Sequence, residues 1–360
     1  MLFDQLPIRQ VTLRNRIVVS PMCQYSSNDG FANDWHFVHL GSRAVGGAAL
    51  VFTEAAAVTP EGRISPYDLG IWKDEHNEFL SRIARFICDQ GALAGVQIAH
   101  AGRKASTPRP WDGVGTIPTS QGGWAPIGPS AIAFDEKHAA PRAIAEGEIP
   151  GIVQAFADAA CRAQRAGFQV LEIHAAHGYL IHEFLSPITN QRTDRYGGTL
   201  DNRARLLREI AIAVRRVWPE GNPIFVRISA SDYVDNGWNV EQSIELARQL
   251  KRLEIDVIDC SSGGLVPGGY APQRPGYQVP FASDIKRGAG IMTGAVGVIS
   301  EPGMAEQIIS RGDADVVLLA REFLRRPYWP FYAARELGHR VPWPAQYLRA
   351  APRDTPIRGA

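Results

Sequence analysis

Val170-Leu171-Glu172-Ile173-His174-Ala175-Ala176-His177-Gly178-Tyr179 begins as an apolar run and ends as a polar turn. The run 170–173 predicts a buried strand, and the two imidazoles and one phenol fall where that strand gives way to a loop. In a barrel of parallel strands, that is the end where active sites are built. Two histidines can jointly hold one oxygen atom and stabilise negative charge developing on it. A tyrosine beside them can supply a proton. The set suits a reaction that makes an enolate-like centre and then protonates it.

Outward from this stretch, similar runs recur. Candidate strands are 16–20, 49–54, 94–99, 170–174, 224–228, 257–260, 291–293 and 316–320. Helical patterns occupy 75–90, 149–166, 201–217, 240–253 and 301–311, the last with Pro302 in its first turn, where proline is tolerated. Continuous apolar strands separated by helices indicate a parallel sheet covered on both faces. Eight such units predict a single (β/α)8 TIM barrel over 1–360. Segment 102–147 breaks the alternation after the third strand. It is rich in Gly, Pro and Ser, carries Trp111 and Trp124, and is too long for an ordinary connection. It is either a surface decoration or an insertion that covers the cavity; its place at the loop-bearing end favours the second.

The bulk properties exclude several classes. Of 360 residues, 45% are hydrophobic and 21% charged, which is ordinary globular composition. A net charge of +1 offers nothing to attract nucleic acid or a membrane surface. Cys23, Cys88, Cys161 and Cys260 are far apart, so no cluster spacing exists. The first residues lack a basic region followed by an apolar stretch, and no run is long enough to span a bilayer. A reducing cytoplasm is the simplest setting. No metal is expected: zinc would need HExxH or a third ligand recruited from His182 or Glu183.

Other strand ends carry chemistry too. Val296-Gly297 and Ala320-Arg321 end the last two strands, where such barrels cradle phosphate. Glycine lets backbone N–H groups approach an anion, and arginine adds a fork of donors. Arg227 lies between Val226 and Ile228 in a strand, where an unpaired cation is costly. It either forms a buried ion pair, with Glu54 or Glu172, or faces an anionic or electron-accepting cofactor edge.

Together these residues resemble the Old Yellow Enzyme family of FMN-dependent ene-reductases, and within it the thermophilic-like or class III branch. The resemblance runs from Leu13-Arg14-Asn15-Arg16-Ile17 to Gln346-Tyr347-Leu348-Arg349. It includes Ser20-Pro21-Met22-Cys23-Gln24-Tyr25, Gln97-Ile98-Ala99-His100-Ala101-Gly102-Arg103-Lys104, the stretch 174–180 and Asn190-Gln191-Arg192-Thr193-Asp194-Arg195-Tyr196-Gly197-Gly198. It implies FMN held non-covalently at the C-terminal face of the barrel, with NADPH or NADH as reductant. By position it implies that Ser20, Pro21, Met22 and Cys23 lie along the flavin ring, that Ala55 approaches it, and that Gln97 and Arg227 contact its pyrimidine side. Val296, Gly297, Ala320 and Arg321 would bind the phosphate. His174 and His177 would hold the substrate oxygen, with Tyr179 as proton donor and Tyr25 and Lys104 at the substrate. The implied activity is that of an NADPH dehydrogenase reducing the activated C=C bonds of enones, maleimides and nitro compounds. Arg349, in the tail 344–360, matches an arginine that reaches a neighbouring subunit's site, which implies a homodimer or dimer of dimers. Two departures stand out: Ala320 replaces the family's usual glycine, and 107–127 is longer than in the shortest members, like the insert of the xenobiotic reductases.

A dienoyl-CoA reductase type of flavin barrel would add a cysteine cluster and a further nucleotide domain. An aldolase or isomerase barrel would show a Schiff-base lysine or carboxylate base at a strand end. A silent binding barrel would have lost the two histidines and the tyrosine.

Overall fold

A short antiparallel hairpin, β1 (Leu6–Ile8) and β2 (Val11–Leu13), precedes everything else in the computed structural model, which describes residues 1–268, 271–353 and 355–356. Then come β3 (Ile17–Val19), α1 (Asp34–Val45), β4 (Leu50–Ala57), α2 (Asn77–Asp89) and β5 (Leu93–Ala99). The excursion holds a two-residue ladder of β6 (Ile127–Gly128) and β7 (Arg142–Ala143) and leads into α3 (Ile149–Arg165). The order continues with β8 (Val170–Ala175), α4 (Leu180–Leu185), α5 (Leu200–Arg203), α6 (Arg205–Val217), β9 (Ile224–Ser229), α7 (Val240–Arg252), β10 (Val257–Ser261), α8 (Val279–Ala289), β11 (Met292–Ala295), α9 (Pro302–Ser310), β12 (Val316–Leu319), α10 (Arg321–Arg325) and α11 (Trp329–Glu336).

Eight strands close a parallel barrel in the ring order β10-β11-β12-β3-β4-β5-β8-β9. The fold is the expected (β/α)8 barrel. Each strand is buried on both faces, so its residues divide between two cores. One core lies inside the barrel and joins Val18, Leu50, Phe52, Val170, Phe225 and Val316 to Leu6, Ile8 and Leu13 of the hairpin. The hairpin therefore plugs the end at which the strands begin. The other core packs strands against helices through residues such as Leu171, Ile173, Phe156 and Ile210. With the N-terminal end filled, the polar groups at the strands' C-terminal ends face the open end.

Several elements depart from the sequence expectation. Helix α1 was not expected because its pattern is inverted: Trp35 and Val38 are exposed while His36, His39 and Arg43 are buried. Asn33 caps it by accepting from the Trp35 N–H. The 201–217 helix is divided into α5 and α6. Helices α8 and α11 carry prolines in their first turns, which read as loop in the sequence. Strand β4 runs on to Ala57 and shifts register between Phe52 and Ala55. That bulge accompanies the turning of Glu54 toward α1, where it meets His36 at 3.1 Å and accepts from the Gln24 N–H. No helix among the described residues is long and apolar enough to cross a membrane.

Candidate active site

The turn after β8 is held in a strained shape from four sides. His177 has φ 58, a conformation costing on the order of 1–3 kcal/mol for a residue with a side chain. Its N–H donates to Ser229 Oγ of β9 at 2.9 Å, and its carbonyl accepts from Lys104 Nζ at 2.9 Å. The ring Nε2 lies 2.6 Å from Ser261 Oγ of β10. Gly178, at φ 71, donates its N–H to His182 Nδ1, and a Cβ there would stand 2.3 Å from the Gly264 carbonyl. His182 and Asp232, both fully buried, pair at 2.9 Å, and Asp232 also accepts from Ser186 Oγ and the Trp238 N–H.

This turn brings together three predicted residues. The His174 ring is 5.1 Å from that of His177 and 5.1 Å from that of Tyr179, edge to face in both cases. His174 Nδ1 accepts from the Ala176 N–H, which leaves the proton of a neutral ring on Nε2. Both histidines are held well below their ordinary range, by burial first and by the Arg227 charge second. Burial, followed by Cys23 and Tyr25, holds the Tyr179 phenol well above its ordinary value. The trio is thus two neutral imidazoles and a protonated phenol. Lys104 Nζ reaches the Gly264 carbonyl as well, and lies 4.9 Å over the Tyr179 and Phe134 rings. Burial and neighbouring Arg103 lower its ammonium to about 8.

Beneath them the barrel interior carries a polar floor. Arg227 of β9 donates to Ser20 Oγ at 2.9 Å and meets Asp259 of β10 at 3.2 Å. Its ion-pair partner is therefore neither Glu54 nor Glu172. Glu54 serves His36, and Glu172 Oε1 accepts from Gln97 Nε2 at 2.7 Å. Since a carboxylate can only accept, Gln97 must turn its NH2 to Glu172 and keep its carbonyl free for a donor.

Two neighbouring features complete the mouth. A cavity of about 440 Å³ is lined by Arg227, Ser261, Gln278, Val296, Gly297, Ala320 and Arg321. Gly297 has φ 123, and a Cβ there would come within 3.0 Å of Gln278 Nε2 and 3.1 Å of Tyr277. Ala55, Ala57, Ala99 and Ala101 line a narrow cleft with Asp68 and Tyr179. Cys23 and Tyr25 border the same region; both are held above their ordinary values by burial first. Pro21 and Met22, between Ser20 and Cys23, are half-buried. These features fit FMN. The cavity offers a cationic, close-approach end for a phosphate, and Gln97 and Arg227 present one acceptor and one cation from the floor.

Arg349 is placed elsewhere. It is exposed on the turn Ala345–Ala350, whose Tyr347 packs on Tyr328. Tyr328 lies against Gly46, just before β4, so in its own chain the tail sits at the barrel's opposite end. Part of the tail expectation, residues 354 and 357–360, lies outside the described residues. The excursion approaches the mouth. Trp111 meets the Tyr25 ring edge-on at 5.7 Å, and Arg103 donates to Leu265 after β10 and to Ile132 and Ala133. Sequence reasoning missed Ser229, Ser261, Gln278, His182 and Asp232 as supports. The first two follow directly on predicted strands, but only the closed barrel shows what they touch.

A profile of the NADH:flavin oxidoreductase / NADH oxidase family matches residues 1–339. An NADPH dehydrogenase of Geobacillus thermodenitrificans (strain NG80-2) is 48% identical over 351 residues, spanning 97% of this chain and 98% of that one. The NADPH dehydrogenase of Bacillus subtilis (strain 168) is 48% identical over 350 residues, with the same coverage. Among solved structures, morphinone reductase superposes with a TM-score of 0.79 at 26% identity, covering 94% of this chain and 90% of that one. The Old Yellow Enzyme homologue from Zymomonas mobilis gives 0.76 at 26% identity over 93% and 92%.

Proposed function

Since this chain belongs to the NADH:flavin oxidoreductase / NADH oxidase family, as an FMN-dependent NAD(P)H oxidoreductase of the Old Yellow Enzyme type, we propose that it reduces the activated C=C bonds of enones, maleimides and nitro compounds. The observation that carries this reading is the constellation of His174, His177 and Tyr179, with both of its partner rings 5.1 Å from His174.

When bound, FMN supplies hydride transfer between the nicotinamide and the alkene. Ser20, Pro21, Met22, Cys23, Ala55, Gln97 and Arg227 would hold its ring, and Val296, Gly297, Ala320 and Arg321 its phosphate. The chain's own residues do the rest. His174 offers Nε2–H to the substrate's carbonyl or nitro oxygen, and His177 joins it by exchanging its Ser261 contact for that oxygen. Hydrogen bonds that strengthen as charge builds on the oxygen favour the transition state over the ground state. Tyr179, held as a protonated phenol, gives its proton to the α-carbon. Lys104 fixes the turn through the His177 carbonyl and contributes positive potential near the phenol. Tyr25 and the excursion 102–147, through Trp111, cover the substrate. Arg349 completes the site of a second copy of the chain in a homodimer or dimer of dimers.

The test separates the two half-reactions. In Tyr179→Phe, FMN binding and reduction by NADPH should match the parent. Reoxidation by an enone should slow by ~10²–10⁴-fold. Unchanged reoxidation in anaerobic stopped-flow measurements removes Tyr179 from the role, and a colourless protein that takes up no FMN removes the reading altogether.

A further inference from the structure

The barrel floor holds more carboxylate than its cations balance. Glu172 of β8 and Asp259 of β10 flank β9 on the inner face of the barrel, near enough for each carboxyl to shift the other. Both are fully buried. Glu172 Oε1 is satisfied by Gln97, but Glu172 Oε2 and both oxygens of Asp259 find no donor. Arg227 stands 3.2 Å from Asp259 Oδ2, yet its Nε is not aligned to donate. An ionised carboxyl is acceptor-only, so two facing ionised carboxyls would leave three buried acceptors bare and a net negative charge in the barrel.

We propose that Glu172 and Asp259 share one proton at neutral pH, making the floor under the flavin electrically neutral. This inference rests on the proposed flavin site. A single proton between Glu172 Oε2 and Asp259 satisfies both facing oxygens, and the remaining negative charge is balanced by Arg227. The charged group facing the pair is Arg227, from the strand between them; Gln97 faces Glu172 from β5, and Ser20 holds the far side of Arg227. His174, in register beside Arg227, is neutral. Burial first and the Asp259 charge second push the Glu172 carboxyl well above its ordinary range, while burial alone raises the Asp259 carboxyl, against the lowering pull of Arg227. The consequence is functional. An anionic floor would oppose adding electrons to a cofactor bound above it, whereas a neutral one does not. The proton also keeps Glu172 in place to orient Gln97. Glu172 and Asp259 are positioning residues in this account.

The experiment uses the protein as purified. Infrared spectroscopy in H2O and D2O reports the carbonyl stretch of a protonated buried carboxylic acid. Asp68 and Glu183, raised to about 7 and about 8, contribute such bands near neutrality. At about pH 9.5 both are ionised. A deuterium-sensitive acid band remaining there in the parent, and lost in Glu172→Gln, is the expected result. An acid band near pH 7 no stronger in the parent than in Glu172→Gln, with none remaining in the parent at about pH 9.5, overturns the proposal. The second readout is the midpoint potential of bound FMN. A shared proton predicts the same potential in Glu172→Gln as in the parent, because Asp259 then balances Arg227 alone. A doubly ionised pair predicts a higher potential in the variant, and that outcome also overturns the proposal. Failure to bind FMN would strike the proposed function and leave the infrared result to decide the proton.

Discussion

At the scale of single residues, the candidate site works with neutral groups and one titrating cation. His174, His177 and Tyr179 keep their neutral forms through the physiological range because burial penalises their charged ones. Lys104 is different: its ammonium is lowered to about 8 while it holds the His177 and Gly264 carbonyls. Lowering makes the charged form prevail below about pH 8 and disappear above it. We expect kcat/KM for enone reduction to decline as pH rises through about 8 and Lys104→Met to be slower and to lack that alkaline limb; a pH–rate profile that keeps the limb in the variant assigns it to another group. At this scale the sequence was informative about which polar side chains meet, because His-x-x-His-x-Tyr follows directly on an apolar run. For Arg227 it offered Glu54 or Glu172, and the partner is Asp259. Asp259 lies 32 positions on in the chain, and only strand pairing brings the two side by side.

At the scale of elements, the fully buried pair His182–Asp232 connects α4 to the loop after β9 and, through Gly178, to the turn that carries His177. Asp232 also gathers Ser186 and the Trp238 N–H, so its loss strands several buried donors. Asp232→Ala should lower unfolding free energy by about 3–5 kcal/mol, read from chemical denaturation. Its residual activity should fall further than its FMN content, since the turn carrying His177 and Tyr179 loosens first. A variant with parental stability would show that the pair contributes little. Helices with apolar stripes, such as α2 and α6, were readable from periodicity. Helix α1 was not, because it buries His36, His39 and Arg43 against the β4 bulge and the Phe323 carbonyl and leaves Trp35 and Val38 outside.

At the scale of the whole molecule, buried histidines set the acid limit. Burial lowers His39 to about 3 and His100 to about 4, from an ordinary value of 6.5. The unfolded chain takes up these protons near pH 6.5 and the folded one only near 3–4. Their stability contribution is therefore whole above pH 6.5 and is lost as pH falls through the folded values. For His100 alone that amounts to about 3 kcal/mol. Thermal melts from pH 7 to 4 should show this fall, and it should flatten in His100→Gln. Assembly is the second property at this scale. With Arg349 at the barrel's far end in its own chain, removing the residues after Pro344 should alter KM and substrate preference without releasing FMN. Light scattering should give an oligomer for the full chain; a monomer, or unaltered kinetics after truncation, would sink the exchange. The eight-strand barrel, its open end and the placing of His174, His177 and Tyr179 at one strand end were readable from the chain alone, since hydrophobic period and residue order are local signals. The hairpin plug, the partner of Arg227, the strained His177 turn, the carboxyl pair and the position of Arg349 were not. Each depends on which distant strands the closed ring sets side by side, and burial gives those contacts their energies by removing water from groups that would otherwise be solvated.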